Sequence, residues 1–474
     1  MNPTSVDNQV AVFYDIGDTM RIFKPLLHWH GARERSKPVY SVTFAPHNQP
    51  VTLADPLCML TCGESICSWE IVPGFASDTG EPKVEFRAEF GWEQHLYDVY
   101  NVRSSPQDDS VLAGDGTGTI VIWKKIPHEK GWRKIMGQQD AQIEMSEEWR
   151  PQTMGAIQRQ KLDITGLAWS PDGRFYVAAS LDSSLQAVVV DISTKGISKE
   201  LIHGDGPVLG CAWDPNSKYV ITLSTDRRMR VFEPLCTDGE YRLKPVYDIS
   251  KDMNGDWMFY DEFAASFRRR ADFSSDGQLL IVPAGIYKDT PCSYVFRFGA
   301  NKFSRPVAVL PSNGPTVCVK FCPKRFALRN SETAAGSGLN DTLVNGKVDE
   351  DVIMGGDKLD ATGSDQGMDV STVSGPKQSN PVIVSGLKCR YIFAVVTEYP
   401  LEIHLYDTEM ARPFAVMGNL HVQDVTDLAW SSDGRVLVVT SGDGFVSFVE
   451  FDEAELGEEY TPIGENNEST SAAA

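Results

Sequence analysis

One short unit recurs along the chain and constrains its fold more than any other feature. Each copy has an apolar strand ending in an aromatic residue, a turn rich in Ser, Asp, Pro and Gly, and two further apolar strands separated by a polar turn around an Asp. In the clearest copy, residues 164–191, apolar residues alternate up to Trp169, and Pro171-Asp172-Gly173 supplies the turn. Alternation with a period of two indicates a half-buried strand, and Pro and Gly suit a tight turn. The unit is predicted to be a β-meander.

Seven such units can be traced along the chain. The equivalent strand ends Trp169 and Trp213 are 44 residues apart. This spacing agrees with the ~40–45-residue, four-strand period of WD-repeat propellers. The units besides the clearest copy cover residues 40–69, 99–123, 208–232, 267–296, 317–407 and 425–451.

The repeat predicts the fold class and the domain limits. We expect an all-β chain that forms a seven-bladed WD-repeat β-propeller over residues 28–457, because blades closed into a ring leave only short, protected strand edges. Residues 1–27 are assigned to an N-terminal extension. His and Asp residues around the units are interpreted as scaffold groups that hydrogen-bond within a blade; they include His95, Asp115 and Asp182.

The negative charge of the chain is concentrated outside the repeat. Residues 331–380 and 452–474 carry 13 of the 21 net negative charges and few aromatic residues. Such segments bury too little apolar surface to offset the entropy lost on ordering. We therefore predict a disordered acidic insert in the sixth blade, residues 331–388, and a disordered acidic tail, residues 458–474.

The composition also excludes some classes of function. A net charge of −21 argues against direct DNA binding, sequence-specific or not, because phosphates require basic side chains opposite them. No apolar run approaches the ~20 residues of a membrane span, and no secretory signal is predicted. We expect a soluble protein that does not bind membranes.

No motif of enzyme chemistry is evident. Gly114–Gly118 has the composition of a phosphate-binding loop, but it lies between two strands, so it is interpreted as a blade turn. Cys58, Cys62 and Cys67 lack the spacing of a zinc site and are interpreted as buried thiols. The sequence predicts no catalytic residue, no cofactor, no metal and no enzymatic activity.

Two arginine clusters and an aromatic segment are the candidate partner-binding residues. One interpretation makes them a solvated strand edge paired with nearby acids. The other makes them a docking site for an acidic segment of a partner, because Arg binds carboxylates through a rigid fork and aromatic residues beside Arg are typical of interface hot spots. The candidates are Arg227, Arg228, Arg230, Trp257, Phe259, Tyr260, Arg268, Arg269 and Arg270.

Several strings of residues are more specific than a WD repeat. Lys37–Val42, Trp213-Asp214-Pro215, Phe267-Arg268-Arg269, Pro283-Ala284-Gly285 and Trp430–Gly434 occur in this order. They resemble the family of WD-repeat subunits of chromatin assembly factor one. WD proteins of the histone-regulatory HIRA type are the nearest relatives of that family.

The resemblance implies a nuclear, non-catalytic scaffold in a histone chaperone complex. Complexes of this family deposit newly made histones three and four on DNA during replication or repair, and the propeller binds the large subunit. A C-terminal motif of adjacent arginines in the family recruits an anti-silencing-type histone chaperone. Residues 452–474 contain no Arg, so recruitment through that motif is not expected.

An alternative function is compatible with the same repeat. A propeller supports many unrelated roles, so the fold alone does not identify the partners. The alternative to the histone chaperone role is a WD-repeat adaptor in another nuclear or cytoplasmic assembly, such as a ubiquitin ligase or an RNA-processing complex.

Overall fold

The computed structural model places most of the repeat region. It describes residues 11–14, 20–25, 27, 29–30, 37–45, 55–74, 80–126, 134–136, 143–145, 147–153, 162–182, 186–193, 196–201, 206–237, 240–261, 268–298, 305–329 and 383–462. No helix among these residues has the length and apolar character needed to cross a membrane.

The first half of the chain supplies three complete blades and part of the ring closure. The chain begins with β1 (Ala11–Tyr14) and β2 (Arg21–Phe23). Blade one consists of β3 (Ser41–Phe44), β4 (Leu57–Cys62), β5 (Ile66–Val72) and β6 (Lys83–Phe90), and blade two of β7 (Val99–Ser104), β8 (Ser110–Asp115), β9 (Ile120–Ile126) and β12 (Glu148–Thr153), with the hairpin β10 (Lys134–Met136) and β11 (Ile143–Met145) between β9 and β12. Blade three consists of β13 (Ile164–Trp169), β14 (Phe175–Ser180), β15 (Ala187–Asp191) and β16 (Gly196–Leu201).

The second half supplies four blades. Blade four consists of β17 (Val208–Trp213), β18 (Val220–Ser224), β19 (Arg228–Thr237) and β20 (Glu240–Ile249), and blade five of β21 (Asp272–Phe273), β22 (Leu279–Tyr287), β23 (Thr290–Arg297) and β24 (Ala308–Pro311). Blade six consists of β25 (Thr316–Phe326), β26 (Arg390–Thr397), β27 (Glu402–Asp407) and β28 (Ala415–Gly418). Blade seven contains β29 (Val425–Trp430), β30 (Val436–Ser441) and β31 (Val446–Glu450), and the helix α1 (Glu453–Leu456) follows it.

These sheets form a closed ring, which confirms the predicted seven-bladed propeller. Strands within each blade are antiparallel, and the first strand of each blade lies against the first strands of its neighbours. Seven clusters of buried apolar residues fill the space between successive blades, including one that joins blade seven to blade one. Each blade therefore buries both of its faces, which explains the long apolar strands.

The Ser-x-Asp-Gly turn has a physical basis in its side-chain hydrogen bonds. The Ser170 hydroxyl donates to Asp172 Oδ1 at 2.5 Å and accepts from the Phe175 backbone N–H at 2.8 Å. Gly173 has a φ of 67°, a conformation that glycine adopts without steric cost. The turn is thus specified locally, and it recurs with Ser431, Asp433 and Gly434.

Buried His and Asp side chains hydrogen-bond within single blades. His95 Nδ1 lies 3.0 Å from Asp115 Oδ2 in the connection and turn of blade two. In blade one, His30 Nε2 lies 2.9 Å from Thr61 Oγ1, which also accepts a hydrogen bond from Trp69 Nε1. His95 and Asp115 thus occupy the scaffold positions expected from the sequence.

The N-terminal boundary predicted at residue 28 is wrong. Strand β2 pairs with β31 and is the outermost strand of blade seven, and β1 pairs with β28 of blade six. Residues 21–23 therefore belong to the propeller rather than to an extension. They escape a repeat search because a three-residue strand carries no periodicity of its own.

The predicted end of the acidic insert and the predicted start of the acidic tail also differ from the structure. Residues 383–388 of the predicted insert are ordered against the ring: Val384 is buried, and the Arg297 guanidinium donates to the backbone oxygens of Ser385 and Gly386. Within the predicted tail, the Tyr460 backbone N–H donates to Arg325 O. The remaining predicted disorder, residues 331–382 and 463–474, lies outside the described residues.

Candidate functional site

The first strands of the blades surround a channel that contains two cavities. We call the face at which these strands begin the upper face and the opposite one the lower face. A cavity of about 600 Å³ opens at the upper face. A second, of about 320 Å³, lies toward the lower face. The upper cavity is lined by residues that include Tyr40, Tyr100, Asp163, Arg268, Glu398 and Asp424.

A buried ionic cluster lies where the two cavities meet, and its Arg270 lines both of them. Asp427 Oδ2 accepts a hydrogen bond from Arg103 Nη1 at 2.8 Å and forms a second ion pair with Arg270. The Ser41 hydroxyl donates to the same oxygen at 2.5 Å. These four side chains come from blades seven, two, five and one, so one carboxylate connects four blades across the channel.

The cluster keeps Asp427 ionised. Burial opposes ionisation of this carboxyl group, but the charges of Arg103 and Arg270 and the Ser41 hydroxyl outweigh it and hold the pKa well below the usual range. With one carboxylate facing two guanidinium groups, the cluster itself carries one net positive charge.

Arg268 extends into the upper cavity. Its guanidinium carbon lies 5.2 Å from the ring centroid of Tyr40 and 5.6 Å from that of Tyr100, within the range of cation–π interactions. Its Nη1 donates to Tyr40 O at 3.3 Å. Burial and the neighbouring charge of Arg270 lower the pKa of Arg268 to about 10.

Arg269 joins two chain segments. It is buried, and its guanidinium donates to the backbone oxygens of Ser224 and Asp261. Burial lowers its pKa to about 10. Arg268, Arg269 and Arg270 are thus consecutive in the sequence but make separate internal contacts.

The other arginine cluster lies on blade four and is also paired internally. Arg230 forms a bidentate pair with Asp226, with distances of 2.6 and 3.2 Å. Arg228 Nη1 lies 3.0 Å from Asp248 Oδ2. Arg227 donates from Nε to Phe259 O at 2.8 Å and lies over the Trp257 ring.

The aromatic segment is partly core and partly surface. Phe259 is 2% exposed, pairs with Gly285 through an isolated bridge and contacts the Tyr294 ring. Tyr260 is half-buried, and Trp257 is 38% exposed. Only part of this segment faces a possible partner.

The structure therefore divides the predicted residues rather than gathering them on one surface. Phe259, Arg269 and Arg270 are buried and contact other parts of the chain, and their burial argues against a docking surface for an acidic partner at these three positions. For the exposed members, Arg228 and Trp257 above all, partner binding stays a prediction.

Sequence reasoning singled out Arg270 but missed its partners in the ionic cluster, above all Arg103 and Asp427. Arg103 and Asp427 each lie within an apolar strand, where an unpaired charge is rarely tolerated. That placement was a usable signal of pairing, although it does not identify the partner. Among the described residues, no group of three or more His, Cys, Asp and Glu side chains could hold a metal ion.

Comparison with known proteins gives the family of this ring. The family model described as the CAF1B/HIR1 beta-propeller domain matches residues 20–456, from the residue before β2 to the end of α1. The chain belongs to the CAF1B/HIR1 beta-propeller family. The resemblance inferred from the sequence strings is thereby confirmed.

Relatives in this family include both protein types expected from the sequence. The chain is 28% identical over 448 residues to the B-type subunit of chromatin assembly factor 1 from Gallus gallus, covering 92% of this chain and 69% of that protein. It is 26% identical to the protein of the same name from Saccharomyces cerevisiae, covering 92% and 87%. It is also 26% identical to the protein HIR1 of Yarrowia lipolytica, covering 95% and 39%.

Proposed function

We propose that this CAF1B/HIR1-type propeller is a non-catalytic scaffold subunit of a histone chaperone complex that assembles nucleosomes. The observation that carries the proposal is the family match, which spans the closed ring from residue 20 to residue 456. The relatives named as chromatin assembly factor 1 proteins cover most of the chain and support the same role. In this role the complex deposits newly made histones three and four during replication or repair.

The channel chemistry supports a scaffold rather than an enzyme. The charged groups of the ionic cluster are directed at one another, and the His–Asp pair of His95 and Asp115 is buried inside a blade. Groups held in this way stabilise the ring but present no nucleophile beside an open substrate pocket.

The proposed partners follow from the same role. They are the large subunit of chromatin assembly factor one and, through the complex, histones three and four. The site of action is the nucleus. An anti-silencing-type histone chaperone would have to be recruited by a route other than an arginine motif in residues 452–474, which contain no Arg.

Purification of the tagged chain from nuclei, followed by mass spectrometry, tests this function. We expect a large acidic subunit and histones three and four in the purified material, and neither in a purification with an unrelated tagged propeller. Recovery of ubiquitin-ligase or RNA-processing subunits instead, without histones, would replace the chromatin role by an adaptor role.

A further inference from the structure

Large apolar side chains are exposed mainly on the upper face. Of ten such residues exposed within the described part of the chain, eight lie on connections of this face, and only Leu235 and Val307 lie toward the lower face. Single exposed apolar residues are normal, but their grouping on one face indicates an interaction site. The eight are Trp92, Leu96, Tyr97, Leu162, Met253, Trp257, Tyr399 and Val422.

Five of these side chains lie on connections that lead directly to residues lining the upper cavity. Leu162, Tyr399 and Val422 are immediate sequence neighbours of residues that line it, and Leu96 and Tyr97 shortly precede the lining residue Tyr100. We call these five residues the rim. Their exposed fractions are 82% for Leu96, 66% for Tyr97, 49% for Leu162, 72% for Tyr399 and 83% for Val422.

The segments that carry the rim are acidic. Residues 91–98, 162–163, 398–401 and 419–424 contain five acidic residues and no Lys or Arg. An apolar surface edged by carboxylates is complementary to a segment that combines aliphatic and basic side chains.

Three carboxylates of these segments line the cavity, and two of them, Asp163 and Asp424, are open to a cation. Neither Asp163 nor Asp424 forms an ion pair within the described residues. Burial, together with the charge of Asp115, raises the pKa of Asp163 despite the opposing charge of Arg268. A carboxylate in this environment gains more from an incoming cation than one in bulk water.

The arginines of the upper cavity do not cancel the negative charge of the segments that carry the rim. Arg270 pairs with Asp427, and Arg268 lies over the rings of Tyr40 and Tyr100. An acidic segment would approach through the rim carboxylates, so the local charge favours a basic one.

We propose that the rim docks a basic segment of a partner protein, which places aliphatic side chains on the five rim residues and a Lys or Arg beside Asp163 and Asp424. This docking site deepens the scaffold role proposed above and rests on it. It assigns one partner to the upper face and gives that partner's chemistry.

Binding of the full-length chain to immobilised peptides tests the proposal. The probes are twelve-residue peptides with four Lys or Arg and two Leu or Ile, each with a counterpart in which Glu replaces Lys and Arg. We expect the best basic probes to bind at least tenfold more tightly than their acidic counterparts. Two double variants, Leu96→Ser with Val422→Ser and Asp163→Asn with Asp424→Asn, should each weaken binding at least fivefold.

Matched controls on the lower face separate docking from general attraction to an acidic protein. Leu235→Ser with Val307→Ser removes exposed apolar groups of that face, and Asp109→Asn removes an exposed carboxylate; each should change affinity less than twofold. Equal losses in rim and control variants, tighter binding of acidic probes, or no binding of any probe would overturn the proposal. Unchanged melting temperatures confirm that the variants fold.

The outcomes distinguish this proposal from the proposed function. If chromatin partners copurify with the chain but the rim variants bind peptides normally, the docking site is wrong and the scaffold role stands. If peptide binding follows the rim but neither the large subunit nor histones copurify, the scaffold role in chromatin is wrong.

Discussion

Neutralising Asp427 should destabilise the whole ring. The carboxylate is 1% exposed and is shared by Arg103, Arg270 and the Ser41 hydroxyl. Asp427→Asn keeps the shape of the side chain but leaves the buried guanidinium of Arg270 and the partly buried one of Arg103 without their anion. Each guanidinium retains a neutral acceptor: Arg103 keeps Val102 O, and Arg270 keeps Asn101 Oδ1. The main loss is therefore electrostatic.

The expected cost is about 3–5 kcal/mol, the range for breaking a buried ion pair from one side. Urea unfolding followed by tryptophan fluorescence measures it as a lower midpoint at an unchanged slope. Asp424→Asn is the matched control, because this exposed carboxylate lies three residues earlier and should contribute within about 0.5 kcal/mol. A loss below about 1 kcal/mol for Asp427→Asn would refute the assignment of the cluster as a connection between blades.

The pH dependence provides a second measurement. The pKa of Asp427 is lower in the folded state than the ordinary aspartate value, so its contribution is present above that ordinary value and is lost as the pH falls through the folded-state pKa. The unaltered chain should lose stability more steeply below about pH 4 than Asp427→Asn does. In addition, Arg103→Met should cost less in the Asp427→Asn background than alone, with a coupling of about 1 kcal/mol or more. Additive effects would contradict a shared carboxylate.

Three further predictions follow from burial and strand pairing. Phe259→Ala should cost about 3–5 kcal/mol in urea unfolding, whereas Trp257→Ala in the same segment should cost about 1 kcal/mol or less, because only Phe259 is enclosed; equal costs would contradict this. A chain that begins at residue 28 should be about 2 kcal/mol or more less stable than one that begins at residue 20, because it lacks the outermost strand of blade seven, and equal melting temperatures would contradict the pairing. Burial lowers the pKa of His30 to about 3, so this residue should contribute a loss of about 1.4 kcal/mol per pH unit as the pH drops below the ordinary histidine value; His30→Gln should reduce the slope by that amount, and an unchanged slope would contradict the burial of a neutral His30.

Much of the scaffold could be predicted because its signals are local. Trp169 and the Ser170–Gly173 turn lie within a few residues of one another, and the hydrogen bonds that shape the turn join the same short segment. A strand period of two and a repeat of about 44 residues survive in the sequence wherever such a unit occurs. Fold class and blade number follow from them.

The arginine residues show the limit of such reasoning. Arg268, Arg269 and Arg270 are adjacent and chemically identical, so composition suggests one basic surface. In the ring, one lies over two tyrosine rings, the next joins blade four to its following connection, and the third pairs with Asp427. Successive side chains of an extended segment point in different directions, and only the neighbours decide which is buried.

Contacts across the ring were decided only in three dimensions. Arg103 and Asp427 are 324 residues apart, and β2 meets β31 from the opposite end of the chain. Neither pairing has a local periodicity or turn signal, because each exists only after the blades close. The amino-acid order specifies the blades through short-range patterns, whereas ring closure determines which charges meet in the channel and which apolar side chains remain on the rim.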